Sequence, residues 1–297
     1  MLRILPVRQP SFLMSIATLL RMQNPDGGWP YMRGGSWTEP TVYAVMALLE
    51  AGERPPARRG LEWIRAARRA DGGWPPRPGV DESAWVTALV ALLPEEELPP
   101  GTHDGAVRWL LATTGKESTA VYRLREWLLG NPVPPDQEFA GWPWVPGAAA
   151  WVGPTSVAIL ALQKEYERRP RQNVRRRIEE GRHFLVARMC REGGWNHGAV
   201  HALGYASQPY PETTGMALAA LRGFQSPKID LALAVAHRFL AQCHSADALN
   251  WLRLGLQAHG QMPGGYCPPE LTYRTVPETS LESLVTRVEA GSRIFWG

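Results

Sequence analysis

Two glycines followed by tryptophan form a phrase that recurs along the chain. It stands at Gly27-Gly28-Trp29, Gly72-Gly73-Trp74 and Gly193-Gly194-Trp195, with weaker copies at Gly141-Trp142 and Gly264-Gly265-Tyr266. Each copy closes a helical stretch, and an acid or hydroxyl cluster and a small apolar helix follow it. A repeat of this kind constrains the architecture before any single residue is interpreted. A helical hairpin that cannot bury its own apolar face must stack on its neighbours. The repeat also explains why 297 residues include 13 tryptophans.

The first unit sets the plan. Phe12 to Gln23 places Leu13, Ile16, Leu19 and Leu20 on one helical face. Asn24-Pro25-Asp26-Gly27-Gly28 stops that helix, because proline cannot continue the ladder and glycine takes backbone angles that other residues avoid. Trp29 is expected to pack back on the helix end. The next helix starts near Glu39-Pro40-Thr41 and ends at Gly52. The second unit repeats this, with a helix from Gly60 to Arg69, the break Asp71-Gly72-Gly73-Trp74, and a helix opened by Asp81-Glu82-Ser83 and running through Leu93. Further helices are predicted over 104–112, 117–129, 153–162, 175–188, 212–221, 231–242 and 246–258, with a last one after Glu278-Thr279-Ser280.

Helices after each break are rich in alanine and short of charge, so they belong inside. Those before each break carry arginine and glutamate and belong outside. The expected fold is all-α: one domain over 1–297, built as an (α/α) toroid of about six hairpins with a cavity at one end. Parity stays open between Glu117 and Leu162, since 117–129 begins like an inner helix yet precedes Gly141-Trp142.

A net charge of +4 is too small to argue for nucleic-acid binding. Arg168, Arg169, Arg171, Arg175, Arg176, Arg177 and Arg182 crowd one segment among Glu165, Glu167, Glu179 and Glu180. They read as a solvated outer helix, with peripheral contact to anionic lipid through Arg168–Arg182 as the alternative. Cys190, Cys243 and Cys267 make no disulfide framework, so a reducing compartment is expected. The apolar run Phe12–Leu20 is shorter than a membrane span. The expectation is a cytoplasmic protein, open to membrane association.

Gln23-Asn24-Pro25-Asp26-Gly27-Gly28-Trp29 closely resembles the Gln-Trp repeat of squalene–hopene and oxidosqualene cyclases. Glu39-Pro40-Thr41, Pro154-Thr155 and Glu212-Thr213-Thr214 look like the helix openings that follow such repeats. The wider group includes plant diterpene cyclases and the β subunits of protein prenyltransferases. The resemblance runs as a pattern from Phe12 to about Val288. It implies an apolar cavity, an isoprenoid-type ligand, and proton-initiated cyclisation or isomerisation. One fold hosts several chemistries, so it bears on fold more than on reaction.

The resemblance implies a proton donor in Asp-x-Asp-Asp-Thr-Ala, and the nearest stretch is Gly79-Val80-Asp81-Glu82-Ser83-Ala84. Asp81 falls on the donor and Glu82 on the next acid, while Gly79 replaces the first aspartate. Protonating an alkene needs a strong acid held neutral among prearranged partners, and a lone carboxylate at a helix start is favoured as the anion. Asp81 is therefore also read as a helix cap. Aligning Ala47-Leu48-Leu49 with Ala91-Leu92-Leu93 places Ser83 opposite Glu39. Glu39, Glu212 and Glu278 all open inner helices, where they serve as caps or ring the cavity mouth as binding groups. Thr41, Thr155 and Thr214 read as structural hydroxyls.

Trp37, Trp85, Trp142, Trp144 and Trp151 are less bound to the repeat than Trp29, Trp74 and Trp195. They are candidates for a substrate wall, whose π faces stabilise cations by up to about 2 kcal/mol when dry. No cofactor or metal is expected. Asp81-x-Ser83 lacks the zinc-binding thiolate, and His183, Cys190, His197 and His201 match no zinc spacing. The chain carries no Asp-Asp-x-x-Asp motif and no phosphate-cradling loop. Three functions remain in play: a terpenoid-cyclase-like protein for an apolar isoprenoid substrate, a non-catalytic binding ring, and a glycan-active toroid in which acids and tryptophan platforms handle sugar.

Overall fold

The computed structural model describes residues 9–131, 139–198, 201–202 and 205–296. Its helices are α1 (Gln9–Met22), α2 (Thr38–Ala51), α3 (Arg54–Ala66), α4 (Val86–Leu92), α5 (Thr102–Ala112), α6 (Ala120–Leu128), α7 (Val152–Arg168), α8 (Gln172–Ala187), α9 (Pro211–Ala220), α10 (Pro227–Gln242), α11 (Ala246–Ala258) and α12 (Val276–Glu289). A two-residue hairpin, His201–Ala202 with Tyr205–Ala206, is the only sheet among the described residues.

Six helices close an inner ring. α2 packs on α4, α4 on α7, α7 on α9, α9 on α11, α11 on α12, and α12 returns to α2. α2, α4 and α9 are alanine-rich and charge-poor, whereas α12 has no alanine and α7 carries charge in its last turns; α2 is buried from Pro40 through Leu48. A helix apolar on every side must be enclosed, and here both neighbours and an outer layer enclose it. α1, α3, α5, α8 and α10 form that outer layer, each resting on one or two inner helices. The amphipathic α3 buries Leu61 and Ile64 and exposes its arginines. The tightest inner contact joins α9 to α11. A Cβ on Gly215 would meet the Trp251 carbonyl carbon at 2.3 Å, and one on Gly255 would meet the Gly215 oxygen at 2.6 Å.

The repeated phrase is a staple with constant chemistry. Trp29, Trp74, Trp142 and Trp195 are fully buried. Each indole N–H donates to a carbonyl at the end of an outer helix: Leu19 (2.8 Å), Ile64 (2.7 Å), Leu110 (2.9 Å) and Leu185 (2.6 Å). The indole gives a donor to a carbonyl near the helix end, where intrahelical partners run out; Leu185 also accepts from the Arg188 N–H at 3.1 Å. Each Trp backbone N–H donates to a threonine hydroxyl on the next inner helix, Thr41, Thr87, Thr155 or Thr214, at 2.8–3.0 Å. Thr41, Thr155 and Thr214 are thus structural, as expected, and Thr87 joins them. Gly27 and Gly72 turn the chain at φ of 92° and 89°, values that disfavour any side chain.

The register expected around Asp81 is corrected. Ser83 lies opposite Ser36, not Glu39: both hydroxyls donate to the turn aspartate, Ser36 to Asp26 and Ser83 to Asp71, at 2.8 Å. The loop from Trp74 to Thr87 is one residue longer than that from Trp29 to Thr41, and the position of Glu39 falls on Trp85. Helix α4 starts only at Val86, so Asp81 caps nothing there. The parity question also resolves. α5 is the outer helix of the Trp142 staple and α7 its inner partner. α6 buries no residue and leaves Val121, Leu124, Trp127 and Leu128 exposed, so it is an insertion belonging to neither wall.

The arginine-rich segment is less solvated than its composition suggests. Arg169 and Arg171 bind the fully buried Glu165, Arg168 binds Glu95, and Arg182 binds Glu179 and the Arg222 carbonyl. Arg177 is buried against the Trp142 ring, 3.4 Å from its centroid, and donates to the carbonyls of Thr113, Ala140 and Gly141. No helix among the described residues is long and apolar enough to cross a membrane.

Candidate functional site

The inner helices begin at one end of the ring and finish at the other. At the finishing end Lys164 of α7 reaches the Leu92 carbonyl of α4, and Gln163 reaches Ala220 of α9. At the starting end, the mouth, acids converge. Glu39 and Glu212 are second residues of α2 and α9, Asp247 is second in α11, and Glu278 is third in α12. In ring order these are contiguous: α9, α11, α12, α2.

Helix starts favour anions, but enclosure and mutual repulsion win here. Loss of solvation, then Glu212, Glu39 and Glu278, push the Asp247 carboxyl up to about 8. Loss of solvation pushes Glu39 up to about 7, with Glu212 adding to the rise and the Tyr31 hydroxyl, which donates to Glu39 Oε2, opposing it. Glu212 is raised by burial and held back by His197. Tyr31 and Tyr43 are raised too, first by burial and then by Glu39. Glu39, Glu212 and Asp247 remain partly exposed, so a ligand can reach carboxyls whose proton affinities are raised above the ordinary range.

Glu278 differs. It accepts from the backbone N–H groups of Arg274 (2.6 Å) and Thr275 (3.0 Å), while Thr275 Oγ1 accepts from Glu278 N at 3.2 Å. This capping box realises the structural reading for that residue. Asp247, which no repeat signal marked, takes its place among the poised acids.

The other arc of the mouth is aromatic. Four successive inner helices, α2, α4, α7 and α9, have Trp37, Trp85, Trp151 and Tyr210 at the N-cap, none giving a side-chain cap. That position ordinarily holds Ser, Thr, Asp or Asn, as α11 and α12 do with Ser245 and Thr275. Trp144 meets Trp85 edge to face at 4.9 Å, Tyr31 meets Trp37 at 5.5 Å, and His197 lies between Trp151 and Tyr210 at 6.1 and 5.4 Å. Trp144, Trp151 and Tyr210 are 38–49% exposed, enough to offer a face to a ligand. Trp142 leaves the candidate wall, because it is sealed inside as the third staple.

Asp81 and Glu82 lie on the exposed loop before α4. The Asp81 side chain is fully exposed, 3.5 Å from Arg69. It edges an open cleft of ≈ 430 Å³ with Trp63, Arg68, Arg69 and Pro75, to which none of the mouth acids contributes. This setting lacks the enclosure that a donor to an alkene requires. Of the histidines and cysteines weighed for zinc, His183 stacks on Phe139 at 5.0 Å, Cys190 is buried, and the His201 side chain lies outside the described residues. Glu95, His103 and Asp104 have metal-compatible spacing, but Arg169 lies 3.1 Å from Glu95 and 3.3 Å from Asp104.

A ring of inner helices within an outer layer, with acids gathered at one mouth, defines an (α/α) toroid. The chain is similar in fold to a family 8 endo-β-1,4-glucanase from an Achatina fulica gut metagenomic library, with TM-score 0.61 at 14% identity over 94% of this chain and 97% of that one. The endo-β-1,4-glucanase CMCax of Acetobacter xylinum gives 0.59 at 14% identity, over 95% of this chain and 99% of that one. The type II terpene cyclase MstE of Scytonema gives 0.57 at 16% identity, over 84% of this chain and 72% of that one. At these identities the likeness is one of fold, and the fold is common to enzymes of both kinds. In sequence, a stretch of 66 residues is 44% identical to the MMP endo-(1,4)-3-O-methyl-alpha-D-mannosidase of Mycolicibacterium hassiacum. That stretch spans 21% of this chain and 18% of that protein. No protein-family model matches.

Proposed function

We propose that the protein is a glycan-active enzyme that hydrolyses glycosidic linkages at the mouth of the ring. The observation that carries this reading is the convergence of Asp247, Glu39 and Glu212, with carboxyls pushed toward neutrality. Glycoside hydrolysis needs one carboxylic acid to protonate the leaving oxygen and a second carboxylate to assist water or the sugar. Asp247, highest of the set, is the acid; Glu39 and Glu212 supply the second group. Trp85, Trp144 and Trp151 offer flat faces to sugar rings along the opposite arc, and Trp37 stands beside Glu39 at its edge. The partial likeness to a methylmannose-cleaving enzyme supports this choice. The test is release of reducing ends from 3-O-methylmannose oligosaccharides and β-1,4-glucans, abolished in Asp247→Asn and Glu39→Gln. An inactive wild-type chain on both substrates rejects the reading.

The aromatic N-caps favour a second reading: proton-initiated cyclisation or isomerisation of a prenyl substrate, with the indoles facing the cation. The sequence expectation assigns its donors to Asp81 and Glu82, and their exposed place on the loop before α4 counts against them. Turnover of a geranylgeranyl substrate that Asp81→Asn leaves unchanged removes Asp81 from it. Thermal stabilisation by either ligand class without turnover marks a binding ring instead.

A further inference from the structure

Tyr31 lies on the loop between the first staple and α2, and it is held at three points. Its hydroxyl donates to Glu39 Oε2. Its carbonyl accepts from Val276 N–H at 2.8 Å, which ties the approach to the first inner helix to the first residue of the last. Its ring meets Trp37 edge to face, whose own N–H is bonded to the Trp29 carbonyl at 2.9 Å. A side chain fixed in this way presents its hydroxyl in one place.

Of the groups that face Glu39, the Glu212 carboxylate opposes its ionisation. Glu212 comes from α9, Asp247 from α11, and Tyr43 from α2 itself. Beyond them, Glu278 of α12 faces Asp247 and His197 faces Glu212. Two acids that share one field need something that makes them unequal if one is to give a proton and the other to receive it. A hydrogen bond donated to a carboxylate favours the anion.

Resting on the mouth as the reacting site, we propose that Tyr31 is the positioning residue that holds Glu39 toward Asp247 and Glu212 and sets Glu39 apart from Asp247 as the more readily ionised of the two. The bond asks nothing of the substrate, so it operates in the ligand-free protein. It also links ring closure to the reacting group, because the residue that bonds Val276 also aims Glu39.

The experiment is a ¹³C-carboxyl titration of the full chain and of Tyr31→Phe, with Glu39→Gln identifying the resonance. Phenylalanine keeps the ring against Trp37 and the carbonyl for Val276, and removes only the hydroxyl. The Glu39 midpoint is expected to rise by about one pH unit in Tyr31→Phe. In the glycan assay, kcat falls with KM little changed, and the Glu39 limb of the pH–rate profile moves with the midpoint. A midpoint equal to that of the wild type overturns the proposal, even if the melting temperature falls. A shifted midpoint in a chain that cleaves no glycan leaves the Tyr31 assignment standing and rejects the hydrolytic reading alone.

Discussion

The two ends of the ring are built from the same residue types in opposite arrangements. At the finishing end buried charges are tied to opposite charges or carbonyls, although burial pushes the Lys164 ammonium down to about 8. Glu165 receives Arg169 at 3.1 Å and Arg171 at 2.5 Å. Arg253 receives Glu282 at 2.6 Å and Glu289 at 2.7 Å. Lys164 places its ammonium on the carbonyls of Leu92 and Ile294, both at 2.7 Å, where the helix dipole welcomes a cation. At the mouth, acids face acids, and a tyrosine bonds one of them. The first end joins helices. The second gathers like charges, which raises neighbouring carboxyls together, as proteins do at working sites and at some cost in stability.

That contrast can be broken from either side, and the largest effect is expected at the mouth. Asp247→Asn should lower glycan turnover by about 100-fold or more while raising the melting temperature at pH 8. The sign follows from linkage. The folded carboxyl titrates near 8 and the unfolded one near 3.9, so the native state holds the extra proton and loses stability as pH rises from about 4 to 8. Melting curves at pH 5 and pH 8 should show the wild type falling further than the variant. A variant that is less stable at pH 8 would mean that Asp247 is satisfied, like the acids at the other end.

Arg253→Met should act in the reverse sense, leaving Glu282 buried without its cation, at a cost of about 3–5 kcal/mol in denaturant unfolding. Lys164→Met strands two buried carbonyls and should cost roughly 1–3 kcal/mol by the same measurement, with turnover per folded molecule unchanged. Trp151→Ala tests the aromatic arc: KM for a long oligosaccharide should rise by roughly 3–10-fold with kcat nearly constant. The smallest effect belongs to the acid that is only a cap. Glu278→Ala should cost about 1 kcal/mol and move turnover far less than Asp247→Asn.

The reach of the sequence differed between walls and mouth. The staple tryptophans, the inner-helix alanines and the threonine hydroxyls were legible because they repeat the same local chemistry. Glu39, Glu212 and Glu278 were legible as equivalent positions, but not as two poised acids and one cap. Asp247 escaped notice because α11 follows Cys243-His244-Ser245 rather than a Gly-Trp break, so no repeat pointed to it. Asp81 drew attention through a motif, yet a loop longer by one residue leaves it in solvent. Trp142 looked free because its break lacks the second glycine, although its hydrogen bonds are those of the other staples.

Sequence alone determined that the chain is a repetitive, two-layered helical wall, since periodicity, glycine breaks and the burial of apolar helices are properties of short segments. Only the tertiary structure decided that the wall closes, with α12 on α2 and Val276 on Tyr31. Closure brings together carboxyls more than 200 residues apart in the chain, such as Glu39 and Asp247. Their proton affinities arise from shared enclosure and mutual repulsion, which belong to no segment by itself.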